Sequence, residues 1–310
     1  MHLRSLNDLT KKELTEIIEN AIEIKKEPEK FSTAMKNKTL MMLFEKPSLR
    51  TRVSFEVGMT RMGGHGIFYS IKDSPLGKKE SVEDTAKTAS RFVDIIMARL
   101  FKQEDLDALA ENAEVPVINA LTDKYHPCQI VADLQTIFEK KGKHKGIKLA
   151  YFGDSNNNVT HSLLLGCSMV GMDISVGCPE GKEFEPQQDV LEKAMENAKE
   201  TGSKIEVVND AVKAVEGADV VYTDSWMSYH IPEDQKEARL KIFKPFQVNE
   251  ELMSKAKPDA VFMNCLPAIR GMEQTAEVID GKQSIVFDQA ENRLHAQNAI
   301  MLHLIKKWEK

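Results

Sequence analysis

Short apolar runs alternate with amphipathic helical stretches along nearly the whole chain. In the first half, the apolar runs predict strands at Thr39–Phe44, Gly66–Ser70, Asp94–Arg99 and Val115–Ile118. In the second half, they predict strands at Ile147–Phe152, Asp173–Gly177, Lys204–Val208, Asp219–Thr223, Ala260–Met263 and Ser284–Phe287. Helical periodicity is clearest at Val82–Phe92, Ile130–Lys140, Val190–Thr201 and Asn292–Trp308. This repeated alternation predicts parallel sheets with helices on both faces.

The number of predicted strands indicates how many domains the chain forms. Ten strands are more than one compact sheet usually holds, so we predict two doubly wound α/β domains with parallel sheets. The break between them is expected near Glu139–Gly146, a basic, glycine-bearing run that is poor in apolar residues. We therefore place the two domains at residues 1–140 and 147–289.

Composition mainly excludes functional classes. The 310 residues carry a net charge of −6, which argues against a nucleic-acid-binding surface. The four cysteines lack CxxC spacing, so we expect reduced thiols rather than disulfides or a zinc site. The N-terminus has no apolar signal-peptide core, and no stretch is long enough to span a bilayer. We therefore expect a cytoplasmic protein without membrane contacts.

The segment Ser48–Arg52 places two guanidinium groups and two hydroxyls between a predicted buried strand and a predicted helix. The buried side of that helix is expected to contain Val53, Phe55, Val57, Met59 and Met62. A strand-to-helix corner directs backbone N–H groups and the positive helix end at one spot, and arginine binds phosphate oxygens bidentately. The segment therefore favours a phosphate site, although a solvated helix start with ordinary surface arginines is the alternative.

Two further loops follow predicted strands. His126 and Gln129 could contact a carbonyl oxygen and an NH2 group, or they could simply form a capping loop. The loop Gly153–Asn158 lacks the G-x-G-x-x-G pattern, so we predict no nucleotide cofactor. Its three adjacent asparagines suit the zwitterionic end of an amino acid.

Three more polar residues follow later strands, and each has a simpler interpretation. Asp224 could bind an ammonium group or only cap a helix; Cys265 could touch a reacting centre or only pack. Arg293 could be a solvated residue at a helix start. The run Glu233–Arg239 is interpreted as a solvated helix face. Taken together, the strand-end loops indicate an anion site, carbonyl donors and an amine site.

Several of these motifs resemble the aspartate/ornithine carbamoyltransferase family, and the resemblance extends over essentially the full chain. Ser48–Arg52 resembles its Ser-x-Arg-Thr-Arg signature, with Leu49 in place of the more usual Thr. His126–Gln129 resembles its His-Pro-x-Gln motif, and Cys265–Pro267 its Cys-Leu-Pro motif. The Cys-Leu-Pro loop and Glu291–Gln297 resemble the ornithine branch in particular.

The resemblance implies a role for each matching residue. The carbamoyl phosphate site would contain Ser48, Leu49, Arg50, Thr51, Arg52, Arg99, His126, Gln129, Cys265, Leu266 and Arg293. The catalytic residues would be Arg99, His126, Cys265 and Arg293, and the ornithine site would contain Asn157, Asn158, Asp224, Ser228 and Tyr229. A cis peptide bond is expected at Leu266–Pro267.

The resemblance also implies an architecture and a mechanism. The C-terminal helix, at residues 290–310, would complete the first, carbamoyl-phosphate-binding domain, while the second domain would bind the amino acid. The chain would form a homotrimer or a multiple of one, with active sites near subunit boundaries. The carbamoyl group would pass directly from carbamoyl phosphate to L-ornithine, without a covalent enzyme intermediate, a metal or another cofactor.

The sequence departs from the family pattern mainly where the acceptor amine is expected. The usual Asp-x-Trp-x-Ser-Met-Gly loop here reads Asp224–His230, with Tyr-His in place of Met-Gly. Asn264 stands where His is usual, and the loop Asp73–Gly77 also differs. Ornithine is the first expectation because the polar partners are retained. Putrescine or lysine as acceptor, or a catalytically silent paralogue that binds carbamoyl phosphate, are the alternatives.

Overall fold

The predicted α/β fold with parallel sheets is confirmed by a computed structural model, which describes residues 1–71, 80–227 and 231–309. The strands are β1 Thr39–Phe44, β2 His65–Ser70, β3 Ile95–Arg99, β4 Val117–Leu121, β5 Lys148–Phe152, β6 Asp173–Gly177, β7 Ile205–Val208, β8 Val220–Thr223 and β9 Val261–Met263. The helices are α1 Lys11–Lys26, α2 Leu49–Arg61, α3 Val82–Ala89, α4 Gln103–Asn112, α5 Pro127–Lys141, α6 Asn158–Val170, α7 Gln188–Thr201, α8 Ala211–Val215, α9 Lys236–Phe243, α10 Glu250–Met253, α11 Ala276–Ile279 and α12 Val286–Trp308.

The first structural unit consists of Met1–Gln135 and Glu291–Lys310. Its four parallel strands lie in the order β2-β1-β3-β4, so the chain adds strands on opposite sides of β1. Strand β3 lies inside the sheet and β4 at its edge, and both are buried along their whole length. The outer edge of β4 is covered by the N-terminal segment, because Leu3 pairs with Ile118. Phe44 at the end of β1 lies opposite Arg99 at the end of β3.

The second structural unit consists of Thr136–Ala290. Its five parallel strands lie in the order β7-β6-β5-β8-β9, and the strand order reverses between β5 and β8. Phe152 at the end of β5 lies opposite Thr223 at the end of β8. In both units the strand order therefore changes direction between two adjacent strands, which is where sheets of this kind bind ligands.

Of the predicted strands, one is absent from the structure and one begins two residues later than predicted. Ser284–Phe287 is not a strand: Ser284 makes a single bridge to Phe262, and α12 begins at Val286. An apolar run of this length fits either element, and Phe287 is 73% exposed on the helix. β4 begins at Val117 rather than Val115, after a proline that has no N–H to donate.

The buried face of α2 is also narrower than predicted. Phe55, Met59 and Met62 are buried, and their spacing follows one side of a helix. Val53 is 47% exposed and Val57 is only half-buried, because both lie on the side of the helix opposite to that row. One flank of α2 is therefore left apolar and accessible within this unit.

No helix within the described ranges is long and apolar enough to cross a membrane.

Candidate active site

The loops that follow β1 and β3 are fastened to each other at the carboxyl edge of the first sheet. The Glu45 backbone N–H donates to the Arg99 carbonyl at 3.0 Å. The carboxylate of Glu45 accepts from the Phe101 backbone N–H at 2.7 Å. These contacts hold the segment before α2 beside the buried side chain of Arg99.

Ser48 starts α2 as its N-cap residue. Its hydroxyl oxygen accepts from the Thr51 backbone N–H at 3.3 Å, and its hydroxyl lies 3.1 Å from the Thr51 hydroxyl. Thr51 is almost completely buried. The helix start therefore combines two neighbouring hydroxyls with the positive end of a helix dipole, which suits an oxyanion.

Arg293 joins α2, α5 and α12 within the first unit. Its guanidinium donates to the Gln129 side-chain oxygen at 2.8 Å and to the Thr51 hydroxyl at 3.3 Å. It also donates twice to the Gln297 side-chain oxygen, at 3.0 and 2.7 Å. The alternative of a solvated helix-start arginine is wrong, because Arg293 is buried.

The contacts of the Arg293 guanidinium are supported by three residues that the sequence analysis missed: Gln297, Ser54 and Asp133. Gln297 donates to the Ser54 hydroxyl at 2.7 Å, and the buried Asp133 carboxylate accepts from the Gln129 amide at 2.8 Å. The available signal was spacing: Gln297 and Asp133 each lie four residues after a predicted site residue on the same helix. Asp133 is a buried carboxyl group near a cluster of cations.

His126 lies in this cationic environment and is buried. Burial holds the pKa of His126 well below its usual value, and the charges of Arg293, Arg99 and Arg50 lower it further. The imidazole is therefore neutral near pH 7 and can donate one hydrogen bond without adding a charge.

Lys46 is a further cation that sequence reasoning did not select. Burial lowers the pKa of Lys46 to about 8, and Arg99 adds to the effect. Its position two residues before Ser48 was the available signal. Around neutral pH the protonation of Lys46 therefore depends more strongly on nearby charges than the protonation of a surface lysine does.

Arg52 and Leu49 lie away from this buried cluster. Arg52 donates to the Glu56 carboxylate at 3.2 Å and stacks 3.9 Å above the Phe68 ring. Leu49 is 76% exposed. Within this unit both side chains lie on the outer surface, and their contacts with carbamoyl phosphate stay predictions.

In the second unit, Asp224 and Cys265 are brought together at the carboxyl edge of the sheet. The thiol of Cys265 lies 3.1 Å from an oxygen of the Asp224 carboxylate and donates to it. Asp224 follows β8 and Cys265 follows the adjacent strand β9. The alternative in which Cys265 only packs does not account for this polar contact.

Asn264 fixes the backbone next to Cys265. Its side-chain oxygen accepts from the Leu266 N–H at 2.8 Å, and its amide donates to the Gln274 side chain at 3.1 Å. Its backbone N–H donates to Gln289 at 3.0 Å. The predicted cis bond at Leu266–Pro267 is confirmed. The residue that replaces the family's usual histidine is thus buried and engaged in holding this loop.

Asn157 caps α6 within the second unit. Its side-chain oxygen accepts from the Thr160 N–H at 2.9 Å, while its amide donates to the Asp154 carbonyl and the Tyr151 hydroxyl. Asn158 is the first residue of α6. The positive start of α6 is therefore directed at the loop that was predicted to receive an amino-acid head group.

The interpretation of Glu233–Arg239 as a solvated helix face is wrong for Arg239. This side chain is buried and forms an ion pair with Asp154. It also donates to the Trp226 carbonyl at 2.8 Å. The signal in the sequence was slight: Arg239 precedes Leu240 and lies four residues before the buried Phe243.

The remaining predicted residues of the amine loop, Ser228, Tyr229 and His230, lie outside the described residues, as does Asp73–Gly77.

Glu273 is a buried acid that sequence reasoning missed. One carboxylate oxygen accepts from the Ile269 N–H at 2.9 Å, while the other has no hydrogen-bond partner among the described residues. Burial raises the pKa of Glu273 to about 7, and the charge of Asp224 adds to the increase.

Two family models match this chain. The model described as "Aspartate/ornithine carbamoyltransferase, carbamoyl-P binding domain" matches residues 1–139. The model described as "Aspartate/ornithine carbamoyltransferase, Asp/Orn binding domain" matches residues 145–304.

Individual relatives match over almost the full length. The chain is 52% identical to ornithine carbamoyltransferase of Oceanobacillus iheyensis, over 97% of this chain and 93% of the relative. It is 49% identical to that of Bacillus thuringiensis subsp. konkukian, over 99% and 95%. Among solved structures, ornithine carbamoyltransferase from Pyrococcus furiosus is 48% identical with a TM-score of 0.93, covering 98% of this chain and 97% of that one. Ornithine transcarbamoylase from Giardia lamblia is 46% identical with a TM-score of 0.91 and the same coverage.

The raised pKa of Glu273 predicts a pH-dependent stability. Because the folded protein holds this proton more tightly than the unfolded chain, the contribution of Glu273 to the free energy of unfolding falls as pH rises from about 4.5 to about 7. Above pH 7, Glu273→Gln is expected to be more stable than wild type by roughly 3 kcal/mol. Urea denaturation at pH 5 and pH 8 measures the change.

The exposed Glu277, four residues further on, provides the control as Glu277→Gln. A stability difference between Glu273→Gln and wild type that does not grow between pH 5 and pH 8 would contradict the raised pKa.

Proposed function

Since this chain belongs to the aspartate/ornithine carbamoyltransferase family, we propose that it transfers the carbamoyl group of carbamoyl phosphate to the side-chain amine of L-ornithine. The products are citrulline and inorganic phosphate. The observation that carries the proposal is the buried Arg293 fork, which joins Gln129 to Thr51 beside the cations Arg50 and Arg99. Ornithine is preferred as acceptor because relatives near 50% identity are ornithine carbamoyltransferases.

The first unit supplies the groups that bind the phosphate. Ser48 and Thr51 offer hydroxyls and backbone N–H groups at the start of α2, and Arg50 and Arg99 offer guanidinium forks. These donors are held in place before the substrate arrives, so little reorganisation is needed as charge moves onto the departing phosphate.

His126 and Gln129 act on the carbamoyl group. The neutral imidazole of His126 donates to the carbamoyl oxygen together with Arg99 and Thr51, and these donors stabilise the oxyanion of the tetrahedral intermediate. The side-chain oxygen of Gln129 already accepts from Arg293, and its second lone pair can accept from the carbamoyl NH2.

The second unit supplies the acceptor site. The Asp224 carboxylate attracts the ammonium groups of ornithine, and the start of α6 at Asn158 suits its α-carboxylate. The alkyl ammonium must first lose a proton, because only the neutral amine can attack. The new C–N bond then forms, the C–O bond to phosphate breaks, and the amine's second proton passes to the departing phosphate. Orientation of the two substrates can lower the barrier by about 7–11 kcal/mol.

Two alternatives rest on the altered amine loop. Tyr-His in place of Met-Gly at Tyr229–His230 could favour putrescine or lysine as acceptor. A catalytically silent paralogue is less well supported, because Arg99, His126 and Arg293 remain together in a buried cluster.

We also propose that the chain acts as a homotrimer, or a multiple of one, in the cytoplasm. Leu49, Val53, Ile67 and Phe68 are exposed apolar residues on α2 and the edge strand β2 of the first unit. Another copy of this chain is the proposed occupant of this α2–β2 surface, because it adjoins the phosphate loop that the family completes near subunit boundaries. All four cysteines are in the reduced thiol form, which agrees with a reducing compartment.

Steady-state carbamoyl transfer to L-ornithine, putrescine, L-lysine and L-aspartate tests the acceptor. We expect kcat/KM to be highest for ornithine by at least about tenfold, because putrescine lacks the carboxylate, aspartate lacks the side-chain amine and lysine is longer by one methylene. Higher kcat/KM for putrescine or lysine would move the chain to another acceptor. Binding of carbamoyl phosphate without turnover of any amine would support the silent paralogue.

Arg50→Ala tests the phosphate site. Loss of one guanidinium from a preorganised anion site is expected to lower kcat/KM for carbamoyl phosphate roughly 10²–10³-fold, with little change in melting temperature. Arg61→Ala, at the exposed far end of α2, is the matched control. Wild-type kcat/KM in Arg50→Ala would remove this residue from the site.

Ile67→Lys tests the proposed trimer surface. A buried ammonium at an apolar subunit contact is strongly unfavourable, so light scattering after gel filtration should show monomers in place of trimers. Phe92→Lys changes another exposed apolar residue of the same unit and should leave the mass unchanged. An unchanged mass for Ile67→Lys would place the subunit contact elsewhere.

A further inference from the structure

Arg239 has an unusual environment for an arginine within a charged surface run. It is only 8% exposed, and its guanidinium carbon lies 4.8 Å from the centre of the Phe243 ring and 6.0 Å from that of Phe184. Phe243 stacks on the buried Trp226 at 5.9 Å between ring centres. A buried cation of this kind is retained only where specific partners offset its desolvation.

The partners of Arg239 come from two different loops of the second unit. Its Nε donates to the carbonyl of Trp226, two residues after Asp224, at 2.8 Å. Its Nη2 donates to the carboxylate of Asp154, two residues after β5. A planar guanidinium can hold both acceptors at once, whereas a single ammonium cannot reproduce that geometry.

These two loops are the ones that carry the proposed acceptor groups. They leave the adjacent strands β5 and β8, at the point where the order of the second sheet reverses. The backbone carbonyl of Asp154 accepts from the Asn157 amide at 2.6 Å, and Asn157 in turn caps α6 just before Asn158. Arg239 is therefore connected to both sides of the acceptor site.

The loop after β5 comes close to Trp226 at Gly153. Gly153 has a φ of +122°, which side-chain-bearing residues rarely adopt. A Cβ atom at this position would lie 3.1 Å from the indole nitrogen of Trp226. The two loops thus approach each other closely beside the Arg239 fork.

We propose that Arg239 is a positioning residue for the acceptor amine, which clamps the loop bearing Asp224 to the loop that leads to Asn158. This inference rests on the proposed carbamoyl transfer. It adds a residue that influences the affinity for the acceptor amine by holding the two loops in place. Arg239 contacts neither substrate in this scheme. Its loss should therefore affect ornithine and leave carbamoyl phosphate largely unaffected.

The charge of Asp154 supports the same role. Burial raises the pKa of Asp154, the charge of Asp224 adds to the increase, and the Arg239 guanidinium opposes both effects. Without Arg239, a buried carboxylate would remain beside Asp224 without its cation. Two consequences can therefore be separated: a loss of stability from the buried charge, and a loss of loop position from the missing Trp226 contact.

Arg239→Met tests the proposal through the separate KM values of the two substrates. A displaced loop should raise KM for ornithine on the order of a hundredfold, since misplacement by about 1 Å has effects of that size. KM for carbamoyl phosphate should change less than about threefold, because its proposed donors lie in the first unit and share no partner with Arg239. Arg239→Lys restores the charge without the fork and should recover only part of the ornithine affinity.

The double variant Asp154→Asn with Arg239→Met separates positioning from stability. It removes the buried unpaired carboxylate, so its melting temperature should return toward that of wild type. KM for ornithine should stay high, because the Trp226 carbonyl still lacks its donor. Arg270→Met, which removes a half-exposed ion pair with Asp280 in the same unit, is the matched control and should leave both KM values unchanged.

The results distinguish this inference from the proposed function. Wild type without turnover of any amine would refute the proposed function and this inference together. Turnover of another amine would replace ornithine, and the same KM comparison would then be made with that amine. A normal amine KM in Arg239→Met, or its full recovery in the double variant, would refute the positioning role alone.

Discussion

Parallel pairing at one point in each sheet is the constraint on which both candidate sites depend. β1 pairs with β3 in the first unit, and β5 pairs with β8 in the second, and at each pair the strand order reverses. The loops that follow such strands leave in opposite directions, so a cleft opens between them without any special residue. The hydrogen-bond register places the polar residues of one loop next to those of the other. The chemistry of each site then depends on which side chains occupy these positions.

The two edges differ in charge because each has a different task. In the first unit, Arg50, Arg99 and Arg293 surround a neutral His126, and uncharged acceptors such as Gln129 hold the guanidinium of Arg293. Grouping cations in a buried place is unfavourable until an anion arrives, which favours binding of a phosphate. In the second unit the carboxylate of Asp224 accepts from a thiol, and acids predominate. An ammonium is the complementary group there.

The residues proposed to touch substrate could be selected from the sequence largely because they lie in short contiguous motifs. Ser48–Arg52 and His126–Gln129 each follow an apolar run, so the pattern alone places them at a sheet edge. The strand Ser284–Phe287 failed for the opposite reason, since a short apolar run at a helix start has the same pattern as a buried strand. The amine loop could be aligned with the family motif. Its altered residues, Tyr229 and His230, match no known motif that would identify the acceptor amine.

Supporting residues are harder to predict because their partners are distant in sequence. Asp154 and Arg239 are 85 positions apart, and Arg293 and Gln129 are 164 apart, so no local periodicity relates them. Arg239 lies in a charged run whose composition fits a solvated helix, and only the tertiary fold places it among Phe184, Trp226 and Phe243. The two classes of residue therefore carry different information. Motifs specify which chemical groups meet the substrates, whereas buried long-range pairs determine how rigidly those groups are held, and the same motif can serve a different acceptor if that support changes.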